Sequence, residues 1–348
     1  MKGLKTTSYR RKRVEKFTNF IFRVFPFVFF IYFFWAQTNL VLVKNYVYST
    51  NELPKAFVGY KIMHVSDICN KELSLIRKAK NADPDIILVS GGYNDISGKH
   101  NKSNKILDKL SKIAPVYYIY NTNDAGNEIE STNVVNITDT TVEVRPNIKD
   151  AKSFIQDNYG NSIIKQADKG DVESLEYIEY INKALNSSND SLIKISGFGV
   201  HPESAEGKEA IKVNVLDLIG TDISDVTIMM NSNIGNLDTI CETHTDIVLF
   251  GGTFGEDKLG TGYKKGTYGN NGTQLFVSGG IGETKEFIRF FNLPEFQIIT
   301  LSDGTISNKN PLEEMLSRIL PDVGTIFDND GGFQKHVIEY GNEYMNND

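Results

Sequence analysis

Short apolar runs alternate with stretches of helical periodicity over most of the chain after residue 58. Eight runs have the length and the bounding polar residues of buried strands, at 60–65, 85–90, 116–120, 192–196, 226–230, 247–250, 275–278 and 296–301. Helical patterns at 71–82 and 104–112 separate the first three. This alternation favours βαβ units around mostly parallel, buried strands, and therefore an α/β fold.

Two parts of the pattern differ from this rule. Five glycines between residues 260 and 272 crowd the space between two strands and favour antiparallel pairing there. Between about 128 and 191 the strand signal weakens, and residues 171–185 read as an amphipathic helix. We expect an insertion that lies over one face of the fold.

The first 43 residues have a pattern of their own. A basic segment, 1–16, precedes an apolar stretch at 17–43 that carries no charge between residues 24 and 36. A bilayer-spanning helix needs about 20 residues, and 20–43 provides them if Arg23 reaches the interface. Positive residues favour the cytoplasmic side, so this pattern predicts a single anchor with the rest of the chain outside the cytoplasm. A buried helix and a cleaved signal peptide are the alternatives, although no small-x-small cleavage pattern closes the run.

The resulting plan has five parts. These are a basic cytoplasmic tail (1–16), a transmembrane anchor (17–43), a linker (44–58), a main domain (59–303, with the insertion at about 128–191) and a C-terminal extension (304–348). The extension contains one helix candidate, 312–320, before a polar end.

Charge and cysteine content exclude two classes. The first 43 residues hold eight basic residues and one acidic residue, so the remainder carries −14 within an overall −7. Such an acidic domain is a poor partner for nucleic acid. Two cysteines, Cys69 and Cys241, in 348 residues exclude a disulfide-stapled scaffold.

The ends of the strands carry the candidate chemistry, because ligands in α/β folds bind at the carboxyl ends of the strands. Four such ends stand out, SDICN at 66–70, SGGYND at 90–95, YNTNDAG at 120–126 and FGGTFGE at 250–256.

These segments resemble the motifs of the calcineurin-like metallophosphoesterases, most closely their membrane-anchored bacterial branch. KIMHVSDICN, PDIILVSGGYND, APVYYIYNTND, TIMMNSNI and DIVLFGGTFGE stand in the family's order, and GTYGNNGTQLFVSGG with IRFFNLPEFQIITL is similar to that branch's ending. The resemblance covers roughly residues 59–301 apart from the insertion. It implies a β-sandwich of two mixed sheets flanked by helices, and in active relatives two divalent ions (Mn, Fe or Zn).

When the family's metal-ligand positions are transferred to this sequence, most of them fall on residues that are poor metal ligands or cannot bind a metal ion. The first Asp is kept as Asp67, and the resemblance places the other metal ligands at Cys69, Gly92, Thr122, Ser232, Gly252 and Phe254. The transition-state His falls on Asn123, and its orienting Asp is kept as Asp124.

A pair of ions about 4 Å apart requires a bridging carboxylate and several imidazoles. With Gly92 at the bridging position, we predict a degenerate member, a pseudoenzyme without cofactor or catalytic residues that acts in binding or scaffolding. Its expected partners are the bilayer, through residues 17–43, and a protein or lipid head group whose identity is open. The alternative is a residual metal-dependent hydrolase of phosphate esters or pyrophosphate-linked lipid head groups. It would use a single metal ion or another set of residues such as Asp67, Asp95 and Asp124.

Other candidates have simpler interpretations. His64 lies on the opposite strand face from Asp67, and His100, His201, His244 and His336 show no ligand spacing, so we expect solvated or packed histidines. Asn94 and Asp95 read as a polar loop, Cys69 as a small half-buried thiol, and Cys241 as helix filler. The insertion helix also carries a stripe of Tyr177, Tyr180 and Leu185, for which core packing is the commoner role.

Overall fold

The structure is a computed structural model that describes residues 3–69, 71–93, 101–120, 133–146, 150–187, 191–199, 205–220, 226–256, 260–282 and 292–304. Its strands are β1 Leu42–Ser49, β2 Lys61–Ser66, β3 Ile86–Ser90, β4 Val116–Tyr118, β5 Val134–Asn136, β6 Thr140–Val144, β7 Ile193–Phe198, β8 Thr227–Asn231, β9 Ile247–Phe250, β10 Gly266–Asn270, β11 Thr273–Val277 and β12 Glu295–Ser302. Its α-helices are α1 Gly3–Asn39, α2 Leu75–Ala82, α3 Asn101–Leu110, α4 Ala151–Tyr159, α5 Ser162–Ala167, α6 Val172–Ser187, α7 Ala205–Ile219 and α8 Leu237–Cys241.

The strands form two mixed sheets. Within the described ranges, the first sheet has the order β1-β12-β2-β3-β4-β5 and the second β10-β11-β9-β8-β7-β6. Neighbours are mostly parallel, while β12 with β2, β6 with β7 and β10 with β11 are antiparallel. The α/β prediction with two mixed sheets is therefore confirmed, and the glycine-rich segment forms the expected antiparallel hairpin.

The sheets pack face to face around an apolar core. Alternate residues of each strand point inward, as in β2, where Ile62 lies between the sheets and Met63 faces outward. The outer face of the first sheet is covered by α2 and α3, and that of the second by α7 and α8. Four layers result, with a helix layer on each side of the sandwich. The carboxyl ends of β2, β3, β4 and β5 therefore lie along one edge of the first sheet, whereas β1 and β12 run in the opposite direction.

Helix α1 is the element that stands apart from this sandwich. Its most apolar window, Lys16–Phe33, is long and apolar enough to cross a membrane and makes no buried contacts with the domain. The predicted anchor nevertheless ends too late. Val41 is fully buried in the core beneath α2, and Val43 packs against the same cluster, so residues 41–43 belong to the domain.

The predicted linker also requires a correction. Its first residues belong to β1, an edge strand that pairs with β12 over its whole length, Leu42 opposite Glu295 and Ser49 opposite Ser302. Only one side of β1 is paired within the described residues, and Lys44 and Asn45 are exposed. Because β1 mixes apolar and polar positions and directly follows the apolar run of α1, the sequence pattern did not predict this strand.

The predicted insertion is partly sheet rather than an addition to one face. Its first strand, β5, extends the first sheet, and β6 extends the second. Both are short and half exposed, as edge strands often are, so they lack the apolar run that marks an interior strand. The helix expected at 171–185 is confirmed as α6, which packs with α4 and α5. Leu185 is buried there and Tyr180 is exposed.

A buried histidine joins the strands next to the predicted site. His64 of β2 has no solvent exposure, and its ring nitrogens contact Gln297 Oε1 at 3.0 Å and Ser90 Oγ at 2.8 Å. Because the amide oxygen can only accept, Nδ1 carries the proton and Nε2 accepts from the serine. The Gln297 amide donates to the Val277 carbonyl of β11, 3.0 Å away, which links the two sheets.

Burial of this ring makes stability depend on pH. It lowers the pKa of His64 from 6.5 to about 4, so the unfolded chain takes up the proton first as the pH falls. The free energy of unfolding should decrease between pH 6.5 and 4, by roughly 3 kcal/mol in total. Urea denaturation followed by circular dichroism at several pH values measures this slope. His64→Gln should lose most of it, and an unchanged slope in that variant would contradict the assignment.

Candidate functional site

The candidate site lies where the carboxyl ends of β2, β3 and β9 meet. Asp67 follows β2 directly, is 1% exposed and adopts a left-handed backbone with φ of 50°. Aspartate tolerates this conformation better than most residues do. The turn aims its carboxylate across the edge, toward the loops that follow the other two strands.

The Asp67 carboxylate binds the backbone of both neighbouring loops. The Gly92 N–H donates to Oδ1 and the Gly252 N–H donates to Oδ2, each at 3.0 Å. Gly92 belongs to the first sheet's edge and Gly252 to the second, so one side chain connects the two sheets. Hydrogen bonds from N–H groups to an ionised carboxylate are among the stronger ones in proteins.

Glycine is needed at this edge because the chain segments approach closely. At Gly91, with φ of 80°, a Cβ atom would lie 2.4 Å from Asp67 Oδ1. At Gly251 it would lie 2.3 Å from the Ser66 Cβ atom. Side chains at either position would push the loops apart. Gly92 differs, since its Cβ would meet Cys69 Sγ at an ordinary 3.5 Å and Asp67 Oδ1 at 3.9 Å.

Cys69 and Phe254 fill the space beside the carboxylate. The Cys69 N–H donates to the Gly92 carbonyl at 3.3 Å, and its thiol lies 3.6 Å from the same oxygen. The ring of Phe254 packs against Cys69, and both are at most 6% exposed. A small apolar cluster therefore stands where the resemblance places two imidazoles. Cys69 is buried rather than half-buried as predicted.

The remaining predicted positions are only partly described. Ser232, after β8, lies at the same edge and donates from its hydroxyl to the Tyr120 carbonyl at 3.2 Å. This bond again joins the second sheet to the first. Thr122, Asn123, Asp124, Asn94 and Asp95 lie outside the described residues. Among the described candidates, Asp67, Cys69, Gly92, Gly252 and Phe254 come together, and Ser232 stands beside them.

Below the site runs a line of buried polar contacts that the sequence analysis did not identify. Ser66 Oγ donates to Ser278 Oγ at 2.8 Å, across the two sheets, and Ser278 Oγ also accepts from the Gly280 N–H. Glu295 is 2% exposed and accepts from the Gly279 N–H at 3.1 Å through one oxygen. The sequence does show polar residues at the ends of the apolar runs. Which of them bond to each other depends on which strands become neighbours, and the sequence pattern does not give this.

Three side chains near these strand ends have polar atoms that find no hydrogen-bond partner among the described residues. They are the Thr253 hydroxyl, Oε2 of Glu295 and both amide atoms of Asn236. Glu295 and Asn236 are at most 2% exposed. Leaving such groups unpaired costs stability.

The described residues do not fit the two metal ions that the resemblance implies. They contain no group of three or more His, Cys, Asp or Glu side chains close enough to hold an ion. Asp67 supplies a carboxylate whose two oxygens already accept N–H groups, while Gly92, Gly252 and Phe254 supply no ligating atom. His244 is exposed, His64 faces the sheet interior, and the other three histidines lie outside the described residues.

The second cysteine is a packed residue, as predicted. Cys241 ends α8 with no solvent exposure, and both cysteines are free thiols. Burial, together with Asp238 and Glu242, raises the pKa of Cys241 to about 11. Burial therefore disfavours the thiolate, as is typical of a structural cysteine.

A cavity of about 250 Å³ lies away from the candidate site. Its lining includes Tyr60, Lys61, Asp85 and Asn158, where β2 and β3 begin and α4 ends. It is thus at the opposite edge of the first sheet from Asp67.

No family model matches the chain, and no curated protein matches it. Among solved structures, it is similar to the crystal structure of TT1561 of Thermus thermophilus, with 13% identity and a TM-score of 0.35 over 64% of this chain and 91% of that chain. At this identity and TM-score the likeness assigns neither an activity nor a substrate.

The two bonds of Asp67 predict a large effect of removing its charge. Asp67→Asn keeps the size and the tolerance for positive φ, but sets an amide NH₂ group against one backbone N–H. We expect a loss of about 3 kcal/mol in the free energy of unfolding, measured by urea denaturation with circular dichroism. Asp83→Asn is the matched control, because Asp83 has the same φ of 50° and is exposed. Equal effects of the two changes would refute the role of the carboxylate.

Proposed function

We propose that the chain is a membrane-anchored, extracytoplasmic protein with the metallophosphoesterase fold whose hydrolytic site has degenerated, and that it acts by binding or scaffolding. The observation that carries this proposal is the use of Asp67. Its carboxylate holds the loops after β3 and β9 through backbone N–H groups, which is a structural task rather than a catalytic one.

Convergence of the motif positions supports the family part of the proposal. Asp67, Gly92 and Gly252 lie far apart in sequence, yet they meet at one edge, in the order that the motifs require. The hydrogen bonds of Ser232 to Tyr120 and of Ser66 to Ser278 also connect the two sheets near this edge. If the motif fragments matched the family by chance, there would be no reason for these positions to lie together.

The side chains that fill the candidate site support the proposal that hydrolytic activity has been lost. A dinuclear centre lowers the pKa of a bridging water, and this requires a shared carboxylate between the ions. Gly92 stands at the position of that carboxylate, and the Cys69 thiol and the Phe254 ring occupy the space beside it. The protein therefore keeps the backbone of the site and replaces its ligands by packing.

The anchor rests on α1. No residue of its window Lys16–Phe33 is buried against the domain, and large apolar side chains such as Phe22, Phe27 and Ile31 are exposed. Burying these side chains in lipid removes their apolar surface from water. The basic residues before the window favour a cytoplasmic N-terminus and an exported domain.

Metal content and turnover of the full chain in detergent test this proposal. The wild-type protein should carry no stoichiometric Mn, Fe or Zn and should show no Mn²⁺-dependent cleavage of aryl phosphate esters above background. Two bound equivalents of metal, with turnover that disappears in Asp67→Ala, would establish the hydrolase instead.

A gain-of-ligand variant provides a sharper test. The Cβ atom of Gly92→Asp would make only ordinary contacts, and the variant places a second carboxylate next to Asp67, so repulsion should lower the melting temperature in EDTA. Adding Mn²⁺ should restore it, most strongly in combination with Cys69→His. Gly92→Asn, which has the same shape without charge, is the control and should not respond. If wild type already gains thermal stability from Mn²⁺, the site retains ligands that the proposal denies it.

A further inference from the structure

The connection between the apolar helix and the domain is very short. Helix α1 ends at Asn39 and β1 begins at Leu42, so only Leu40 and Val41 lie between them. Val41 is fully buried, and its carbonyl accepts a hydrogen bond from the Lys78 ammonium group of α2. The domain therefore holds the end of this connection firmly, and it leaves almost no free tether.

Strand pairing shows where on the domain this connection enters. The Leu42 N–H donates to the Pro294 carbonyl at 2.7 Å, and Leu42 is opposite Glu295, the first residue of β12. The Glu295 N–H in turn donates to the Gly280 carbonyl at 2.9 Å. Gly280 lies directly against Asp67, since a Cβ there would be 2.8 Å from the Asp67 Cβ.

The direction of the strands also places the entry of the connection at the Asp67 edge. Strand β12 is antiparallel to β2, with Gln297 opposite His64, so β12 begins where β2 ends. Strand β1 is parallel to β12 and begins at that edge too. With β12 between β1 and β2, Leu42 and the end of β2 are two strand spacings apart, about 10 Å. The helix thus enters the domain beside Asp67.

Chain length limits the distance between this edge and the membrane. Six helical residues follow the apolar window, which ends at Phe33, and three more lead to Leu42. These nine residues span at most about 20 Å. The polar head-group layer of each leaflet takes up roughly 5–8 Å of that length.

We propose that the edge carrying Asp67, Gly92 and Gly252 faces the head-group layer of the bilayer, so that the surface partner of the former active site is lipid. The inference rests on the membrane anchor of the proposed function and adds the orientation of the domain. The opposite edge, with the cavity at Tyr60 and Asp85 and the last turn of α2, faces away. It lies about 20 Å farther out, because β2 has six residues.

Fluorescence quenching by the lipid surface tests this orientation. The full chain is reconstituted in phosphatidylcholine nanodiscs that carry a quencher on some head groups; zwitterionic lipid avoids repulsion by the acidic domain. A fluorophore is placed on Glu256→Cys, in the loop after β9, or on Asn81→Cys, at the end of α2. Both positions are exposed, and wild type, with two buried thiols, controls for labelling specificity.

Quenching should be about two-fold stronger at position 256 than at position 81, given the roughly 20 Å between the two edges. A flexible insertion of Gly and Ser residues between Leu40 and Val41 lengthens the tether and should remove most of this difference. A difference that survives the insertion unchanged would overturn the role assigned to the short connection.

The outcomes separate the two proposals. If the chain does not remain with the nanodiscs, the anchor fails and the orientation fails with it. If the chain is inserted but position 81 is quenched as strongly as position 256 or more strongly, the orientation alone is overturned. Bound metal and turnover, measured independently, decide the pseudoenzyme proposal without affecting this result.

Discussion

One buried carboxylate holds the edge of this molecule together. Asp67 accepts a backbone N–H from a loop of each sheet, so this side chain ties together the two halves of the sandwich at that edge. The surrounding glycines allow the loops to come within reach of it, and Gly91 could carry no side chain without a clash. The geometry of the described part of the site therefore follows from hydrogen bonding and close backbone packing.

The polar contacts below this residue explain why the strand ends are not purely apolar. His64, Ser66, Ser90, Ser278 and Gln297 are all fully buried, and the bonds among them and to the backbone link the sheets near the same edge. Buried polar groups that satisfy one another specify a unique alignment of the sheets. The rest of the space between the sheets is filled by aliphatic and aromatic side chains, which exclude water.

Much of the sheet could be predicted from the sequence, because interior strands such as β3 and β9 are continuous apolar runs bounded by polar residues. Edge strands gave no such signal. Strand β1 mixes exposed and half-buried positions and follows an apolar helix without a break, and β5 and β6 are short. The positions that converge at the site were identified from motif order, but the bonds of Asp67 to two distant N–H groups depend on tertiary approach, which local patterns do not encode. The burial of Cys69 against Phe254 was missed for the same reason.

The pairing of β1 has a consequence for biosynthesis. The first strand made after the apolar helix finds its only described neighbour in β12, and Leu42 must wait for Glu295 before it can pair. Nearly the whole domain emerges from the ribosome in the meantime, while β1 remains without its hydrogen-bonded partner strand. Addition of β12 and β1 to the first sheet is therefore a late, long-range step of folding. A nascent chain that stops before β12 leaves the edge of β2 unpaired and able to pair with strands of other chains.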